Sequence, residues 1–215
     1  MPAPTASGSQ RHNDALPLPL PALVVVTDGS LTGRRPLTEV VAAAVEGGAR
    51  AVLMREKHLS RPERQELAAD LRALLQPYGG VLVVASDPTI PADAVHLASA
   101  DRVPEPAPPL WGRSCHTAAE VASAAVQGCH YATLSPVFTT TSKPGYGPAL
   151  GPGALQGHPL PVWALGGVDA ANAGACMQAG AAGIAVMGFV MRAPDPSAAV
   201  VELRAAMAGG ATGGT

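Results

Sequence analysis

Eight short apolar runs, separated by polar loops, constrain the fold of this chain more than any other feature of its sequence. The runs span residues 22–26, 51–54, 81–85, 94–97, 110–113, 131–134, 162–165 and 183–187. Within most runs the apolar residues are consecutive rather than alternating, which is typical of parallel strands buried on both faces. Such strands predict a (β/α)8 barrel, the TIM barrel, and a doubly wound open sheet is the alternative.

Segments with helical spacing of apolar residues lie between many of these runs. They span residues 37–47, 61–75, 118–127, 170–179 and 197–207. Ser60 and Glu63 have the capping-box spacing, in which each side chain bonds the backbone N–H of the other residue. Thr117 and Glu120 repeat this spacing at the third segment, and Asp169 is the expected N-cap of the fourth.

Two connections leave little room for an outer helix. Residues 86–93 form a short connection, and residues 98–109 are rich in proline, which cannot occupy a helix interior. We therefore expect a barrel with one or two outer helices shortened or missing. Strand faces left bare in this way would favour a homo-oligomer, in which a partner subunit covers them.

Composition narrows the class of protein. The chain has 215 residues and is 47% hydrophobic but only 3% aromatic, which predicts a large core built from aliphatic side chains. A formal net charge of -2 argues against nucleic acid as a partner. Three cysteines in neither disulfide nor zinc-ligand spacing favour a reduced, cytoplasmic protein. No apolar run is long enough to predict a membrane span.

The two ends of the chain differ from its centre. Residues 1–20 start polar and then become rich in proline, and we expect a disordered N-terminal arm. A single barrel domain is expected over residues 21–208. Residues 209–215, which are glycine and threonine-rich, are an expected flexible tail.

Charged residues follow the apolar runs, at the positions where barrels place their active sites. Arg55 and Lys57 follow the second run, and Lys143 lies in the loop after the sixth; these cations suit phosphate oxygens. Asp87 and Asp101 follow the third and fourth runs, and their carboxylates suit a magnesium ion bridged to a substrate phosphate. Each residue alone is also typical of a solvated surface, so the prediction depends on the whole set.

Glycines after the last two runs predict a second anion site. Gly166, Gly167 and Gly188 leave backbone N–H groups uncovered where barrels commonly bind a phosphate. Ser114 and His116, after the fifth run, add a hydroxyl and an imidazole to the same face. Two anion sites and a metal indicate two phosphorylated substrates, or one substrate and a leaving pyrophosphate.

Several short motifs, in order along the chain, resemble thiamin-phosphate synthase and its thiazole tautomerase (TenI-like) relatives. They are Val26-Thr27-Asp28, Arg55-Glu56-Lys57, Val95-His96-Leu97 and residues 112–117, 136–145, 164–168 and 183–187. Each motif is weak alone, but the ordered set is specific and extends over nearly the whole domain. The resemblance implies a barrel that joins a hydroxymethylpyrimidine pyrophosphate to a thiazole phosphate, with Mg2+-assisted release of pyrophosphate.

The resemblance also implies roles for individual residues. By position, six residues would contact the pyrophosphate, its magnesium ion or the departing group. They are Arg55, Lys57, Asp87, Asp101, Ser114 and Lys143. The other substrate contacts, most of them at the thiazole phosphate, would be Ser86, Thr139, Thr141, Gly166, Gly167 and Gly188. A dissociating pyrophosphate needs its developing charge met by fixed cations and a metal, which agrees with this set.

Two positions depart from the synthase pattern. Leu53 stands where the family usually has a glutamine that hydrogen-bonds the aminopyrimidine, so we expect weaker discrimination among pyrimidines. Ser86 replaces an asparagine beside the metal-binding aspartate, and the shorter serine side chain makes a weaker contact. The loops that carry Asp87 and Asp101 are also compressed, which puts the convergence of these two carboxylates in question.

Two other functions remain open. A thiazole tautomerase shares the barrel and the thiazole-phosphate site, and His116 corresponds to its acid/base residue, a role that suits an imidazole. A non-catalytic barrel that binds thiazole phosphate or regulates a partner enzyme is the third interpretation. The synthase is preferred because the cations and both carboxylates are all present. The remaining histidines, including His96, are interpreted as structural or solvated.

Overall fold

The strands of the chain close into a barrel. The computed structural model describes residues 19–140 and 148–211, the last of these without its side chain. Eight parallel strands pair in chain order, and the first closes against the eighth. They are β1 (Leu23–Val26), β2 (Ala51–Met54), β3 (Val81–Ala85), β4 (Ala94–Leu97), β5 (Trp111–Cys115), β6 (Tyr131–Leu134), β7 (Val162–Leu165) and β8 (Gly183–Val186). The predicted (β/α)8 architecture is confirmed.

Helices pack around the outside of the barrel. They are α1 (Leu37–Glu46), α2 (Arg61–Leu75), α3 (Ala118–Val126), α4 (Ala173–Gln178), α5 (Gly188–Met191) and α6 (Pro196–Ala211). The capping box predicted at the start of α2 is present, with the Glu63 carboxylate accepting from the Ser60 N–H at 2.8 Å. α6 packs against both α1 and α4, which closes the outer layer where the two ends of the barrel chain meet.

The fourth predicted helix begins later than its sequence pattern indicates. The helix expected over 170–179 starts at Ala173, because the Asp169 carboxylate accepts from a backbone N–H two residues on, at 2.9 Å, and closes a turn. Asn172 accepts from the Asp169 N–H at 3.0 Å and donates to the Gly167 carbonyl at 2.9 Å. Asp169 is therefore not the N-cap, and the turn ties α4 to the loop after β7.

Three connections hold no α-helix among the described residues. Two of them, β3 to β4 and β4 to β5, are those that the sequence predicts; between β6 and β7 the described residues form a 3-10 helix, Pro152–Leu155. Loop side chains cover the strands instead, since Ile90 is buried in the outer core and Val103 packs against it. Every residue of β4 is buried within the chain, so the expectation of bare strand faces is wrong.

Aromatic side chains lie among aliphatic ones inside the barrel. Tyr131 and Trp163 are fully buried and meet edge to face, with ring centroids 5.6 Å apart. Glycines make room for them: a Cβ at Gly112 would fall on the Tyr131 ring, and a Cβ at Gly183 would fall on the Trp163 ring. Most of the core is aliphatic, as expected, and the inner core departs from that expectation at Tyr131 and Trp163.

The ends of the expected domain are described only in part. α6 continues to Ala211, past the boundary expected at residue 208. Residues 1–18 and 212–215, which include most of the expected arm and tail, lie outside the described residues. Among the helices that are described, none combines the length and the apolar character needed to cross a membrane.

Candidate active site

The carboxyl ends of the parallel strands open onto one face of the barrel, which we call the mouth. Within the described ranges the predicted site residues at the mouth are Arg55, Lys57, Ser86, Asp87, Asp101, Ser114, His116, Thr139, Gly166, Gly167 and Gly188. Thr141 and Lys143 lie in residues 141–147, outside the described residues. The barrel topology thus gathers the described part of the predicted set at one end of the molecule.

The inner wall of the mouth is polar along β4, β5 and β6. His96 is 6% exposed, and its Nε2 lies 3.0 Å from Ser114 Oγ. The same nitrogen lies 3.3 Å from Thr133 Oγ1, and Nδ1 lies 3.2 Å from the Tyr131 hydroxyl. His96 is therefore the centre of a buried network that holds a predicted catalytic serine. Sequence analysis missed this contact, although a histidine inside an apolar strand was a signal for it.

The His96 imidazole is neutral in the folded protein. Burial, assisted by the positive charges of Lys57 and Arg113, lowers its pKa to about 4 against an opposing effect of Asp101. A neutral imidazole has one donor and one acceptor nitrogen. His96 can therefore orient the Ser114 hydroxyl, but it adds no positive charge to the mouth.

A buried carboxylate anchors the loop after β2. Glu56 is 2% exposed, and its two oxygens accept from the Gly29 N–H at 3.1 and 3.2 Å, which ties this loop to the loop after β1. Arg55 is partly exposed, with its guanidinium 3.9 Å from the Asp28 carboxylate. At that distance the pair is loose, so Arg55 can also contact an anion at the mouth. Glu56 is a member of the site that sequence analysis did not single out.

Asp101 closes a turn beside Lys57. Its Oδ2 accepts from the Ala98 N–H at 2.7 Å, and its own N–H donates to the Ala98 carbonyl at 3.1 Å. Burial acts to raise the pKa of the Asp101 carboxyl, whereas the Ser86 hydroxyl and the Ala98 N–H lower it. The charges of Lys57 and Arg113 add to the lowering, and the pKa lies below its usual value. Asp101 is therefore ionised at neutral pH.

Asp87 contacts a different set of groups. Its Oδ1 accepts from the Thr89 N–H at 3.0 Å and from the Thr89 hydroxyl at 2.5 Å, and its Oδ2 lies 3.6 Å from the Arg64 guanidinium. Burial acts to raise the pKa of Asp87, but Thr89, Arg64 and Arg61 together bring it below its usual value. The two predicted metal ligands thus stand on neighbouring loops in separate hydrogen-bond networks.

Ser86 lies at the end of β3, between these two networks. Its φ is 64°, in the left-handed region that costs L residues roughly 1–2 kcal/mol. Its hydroxyl oxygen is buried without a hydrogen-bond partner among the described residues, so its approach to Asp101 falls short of hydrogen-bonding geometry. An unpartnered oxygen near two ionised carboxylates fits Mg2+, which takes one or two carboxylates and completes its shell with water and phosphate oxygens. Larger clusters of metal-binding side chains are absent from the described residues.

Glycines bring the loops after β6 and β7 together. Gly166 and Gly167 have φ values of 90° and 66°, which favour glycine. A Cβ at Gly166 would lie 2.8 Å from Pro136, and a Cβ at Gly167 would meet the Thr139 carbonyl. The Phe138 N–H donates to the Gly166 carbonyl at 2.9 Å. The structure therefore brings Thr139, Gly166 and Gly167 into contact.

Gly188 lies beside a cation that sequence analysis did not single out. A Cβ at Gly188 would meet the Arg192 guanidinium, so glycine at this position lets Arg192 fold across the start of α5. Arg35 donates to the Met191 carbonyl at 3.2 Å and holds the end of the same short helix. Arg192 thus adds positive charge next to a predicted phosphate contact.

His116 is held at both its backbone and its ring. Its N–H donates to the Glu120 carboxylate at 2.6 Å, and its Nδ1 lies 2.8 Å from the Ser135 carbonyl, to which it donates. The Thr117 hydroxyl accepts from the Glu120 N–H at 3.2 Å, as predicted. The capping box is only half present, because the Glu120 carboxylate bonds His116 instead of Thr117.

Beneath the mouth, the inner wall of the barrel is apolar along β1, β2 and β3. Leu53 is 4% exposed and packs in the inner core with Val26 and Ala85. Leu53 also pairs in register with Val26 on the neighbouring strand. Position 53 therefore offers apolar contact and no side-chain hydrogen bond to a ring seated in the barrel.

The fold is a TIM barrel whose mouth has cations and carboxylates on one side and a glycine-lined anion site on the other. This arrangement is typical of enzymes that act on phosphorylated substrates. Within that class of enzymes, the sequence matches one family. The chain belongs to the thiamine monophosphate synthase family, whose sequence model matches residues 23–190. The resemblance noted in the sequence is therefore confirmed.

Several relatives are similar over most of their length. Thiamine-phosphate synthase of Chloroflexus aurantiacus is 37% identical over 196 residues, covering 85% of this chain and 91% of that protein. The protein of the same name from Roseiflexus castenholzii is 35% identical, covering 87% and 90%. The structure of thiamine phosphate pyrophosphorylase from Pyrococcus furiosus has a TM-score of 0.79 at 31% identity, covering 90% of this chain and 98% of that one. These names do not favour the tautomerase or the non-catalytic interpretation.

Proposed function

We propose that this protein is a thiamin-phosphate synthase, a transferase that couples hydroxymethylpyrimidine pyrophosphate to thiazole phosphate in thiamine biosynthesis. The observation that supports this most strongly is the division of the mouth. Lys57, Ser86 and Asp101 follow β2, β3 and β4 on one side of the barrel, and Gly166 and Gly167 follow β7 on the other. The first side suits a pyrophosphate with its metal, and the second suits a phosphate monoester.

The residues of this chain meet the charge that the reaction develops. The bond between the pyrimidine methylene carbon and the pyrophosphate oxygen breaks, and its electron pair leaves with pyrophosphate. The thiazole nitrogen supplies the pair that forms the new C–N bond. Arg55, Lys57 and Lys143 neutralise the departing pyrophosphate. The Ser114 hydroxyl, held by neutral His96, donates a hydrogen bond to a departing oxygen.

Asp87, Asp101 and Ser86 would hold the magnesium ion. When bound, the ion neutralises pyrophosphate charge as the bond breaks. Both carboxyl groups have pKa values below their usual range, so each is ionised before substrate arrives. The Ser86 hydroxyl, unpartnered within the described chain, is available to the ion or to one of its waters.

The glycine side of the mouth would bind the thiazole phosphate. Backbone N–H groups of Gly167 and Gly188 suit phosphate oxygens, because glycine has no side chain of its own to cover them. Thr139 and Thr141 would add hydroxyl donors, and Arg192 lies against Gly188. On the opposite wall, apolar Leu53 would contact the pyrimidine ring without selecting its substituents.

A cytoplasmic location is supported by the thiols of this chain. Cys115, Cys129 and Cys176 are buried and free. Burial raises the pKa of each thiol, to about 12 for Cys115 and about 11 for Cys176. Such groups are inert to exchange and suit a reducing compartment.

Substitution of the lysines tests the proposal. Lys57→Ala and Lys143→Ala should each lower kcat/KM for thiamin phosphate formation by ~100-fold or more, because a fixed cation is lost from the departing pyrophosphate. Arg72→Ala is the control and should retain wild-type turnover. Arg72 lies away from the mouth, where its guanidinium donates to the Asp93 carboxylate at 2.8 Å. Unchanged turnover in both lysine variants would overturn the proposal.

A further inference from the structure

Arg113 is a buried cation that the proposed reaction does not use. Its neighbours Gly112 and Ser114 face the inside of the barrel, so the Arg113 side chain lies on the outside of β5. The residue is 8% exposed, its guanidinium lies 5.9 Å from the centre of the Trp111 ring, and its Nε has no partner among the described residues. Burying a charge with one donor unpaired is costly, so a compensating role is expected.

The contacts of Arg113 identify that role. Its Nη1 donates to the Ala98 carbonyl at 3.2 Å and to the Ser99 carbonyl at 2.9 Å. These residues begin the 98–101 turn, which closes through the two reciprocal bonds between Ala98 and Asp101. Arg113 therefore grips the turn that carries Asp101 to the mouth.

The 98–101 turn lies in a connection that has no helix of its own, so no helical backbone hydrogen bonds hold it. A cavity of about 80 Å³ adjoins it, lined in part by Ser99, Arg113 and Gln127. Because this cavity interrupts the packing between the turn and α3, the Arg113 guanidinium supplies a restraint that side-chain packing does not.

We infer that Arg113 is a positioning residue, which holds the 98–101 turn and thereby sets the Asp101 carboxylate for a divalent cation. The positioning of the turn stands on the contacts above. The consequence for the cation rests on the proposed function, in which Asp101 is a ligand.

Arg113→Met tests the inference, and Arg50→Met is a matched control. Arg50 also donates through Nη1 to two backbone carbonyls, those of Val45 and Ala49, at 2.8 Å each, and it lies over the Tyr78 ring at 4.5 Å. It precedes β2, at the end of the barrel opposite to the mouth. The two variants therefore lose similar contacts at opposite ends of the molecule.

Two measurements separate positioning from general stability. Amide hydrogen exchange at Ala98 and Asp101 should become roughly tenfold faster or more in Arg113→Met, as expected for loss of charge-assisted hydrogen bonds, and should stay unchanged in Arg50→Met. The dissociation constant of Mn2+ alone, measured by EPR, and the Mg2+ concentration for half-maximal coupling should both rise about tenfold in Arg113→Met only. Arg113→Lys, which keeps the charge and a single donor nitrogen, should recover part of the protection.

The outcomes are distinct. Unchanged exchange at Ala98 and Asp101 in Arg113→Met would overturn the inference, as would faster exchange with unchanged Mn2+ affinity. If the wild-type protein neither couples the two substrates nor binds Mn2+, the proposed function and the cation role both fail. The exchange result then decides by itself whether Arg113 holds the turn.

Discussion

At the scale of single residues, His96 couples stability to pH. Its pKa is about 4 in the folded protein and 6.5 in the unfolded chain, so the unfolded state takes up a proton first as the pH falls. Stability is complete above about pH 6.5 and is lost as the pH falls toward 4. Between about pH 7.5 and pH 5, we expect the free energy of unfolding to fall by about 2 kcal/mol from this group.

His96→Gln removes this titration. In urea unfolding, the free energy of unfolding of the variant should fall between about pH 7.5 and pH 5 by about 2 kcal/mol less than that of the wild type, whatever the variant's absolute stability. The aspartates with lowered pKa values titrate mainly below this range, so they do not obscure the difference. Equal losses in the two proteins would show that His96 is not buried in its neutral form.

Ser86 is a second residue whose local cost is measurable. Because its φ is 64°, Ser86→Gly should relieve left-handed strain and raise the free energy of unfolding by about 0.5–1 kcal/mol, after the entropy cost of glycine. Ser86→Ala is the control, since it removes the hydroxyl but keeps the Cβ, and it should not gain this strain relief. Both variants should raise the Mg2+ requirement for coupling. If Ser86→Gly is no more stable than Ser86→Ala, the backbone at residue 86 is not strained.

At the scale of elements, the pairing of β5 with β6 depends on a glycine. Gly112→Ala would place a methyl group on the buried Tyr131 ring, and we expect a loss of about 1–3 kcal/mol in the free energy of unfolding. Gly153→Ala has open space at its Cβ and should change stability little, which makes it the control. Equal stabilities by urea unfolding would show that the barrel interior is less closely packed than described.

The strands were the most predictable elements. β2, β3, β4, β6 and β7 have the predicted bounds, because each is a mostly apolar run that ends at the start of a loop. β5 extends to Cys115, two residues past its predicted end, because Ser114 is polar but continues the ladder with β6, as does Cys115. The short helix α5 was not predicted, because four residues carry too little periodicity to be recognised.

At the scale of the whole molecule, parallel topology explains why the site could be located from sequence. Residues that follow successive strands must meet at one face, so the position of Lys57 or Asp101 required no knowledge of contacts. The contacts themselves depend on register and on side-chain direction. The His96–Ser114 bond and the Arg64–Asp87 pair join separate segments, and no local pattern in the sequence identifies the partner of either His96 or Asp87.

The most direct test of the account is to incubate the purified protein with hydroxymethylpyrimidine pyrophosphate, thiazole phosphate and Mg2+, and to measure thiamin phosphate and pyrophosphate together. We predict equal amounts of the two products, and loss of both when a chelator removes the metal. No thiamin phosphate from folded protein that binds thiazole phosphate would contradict the synthase assignment.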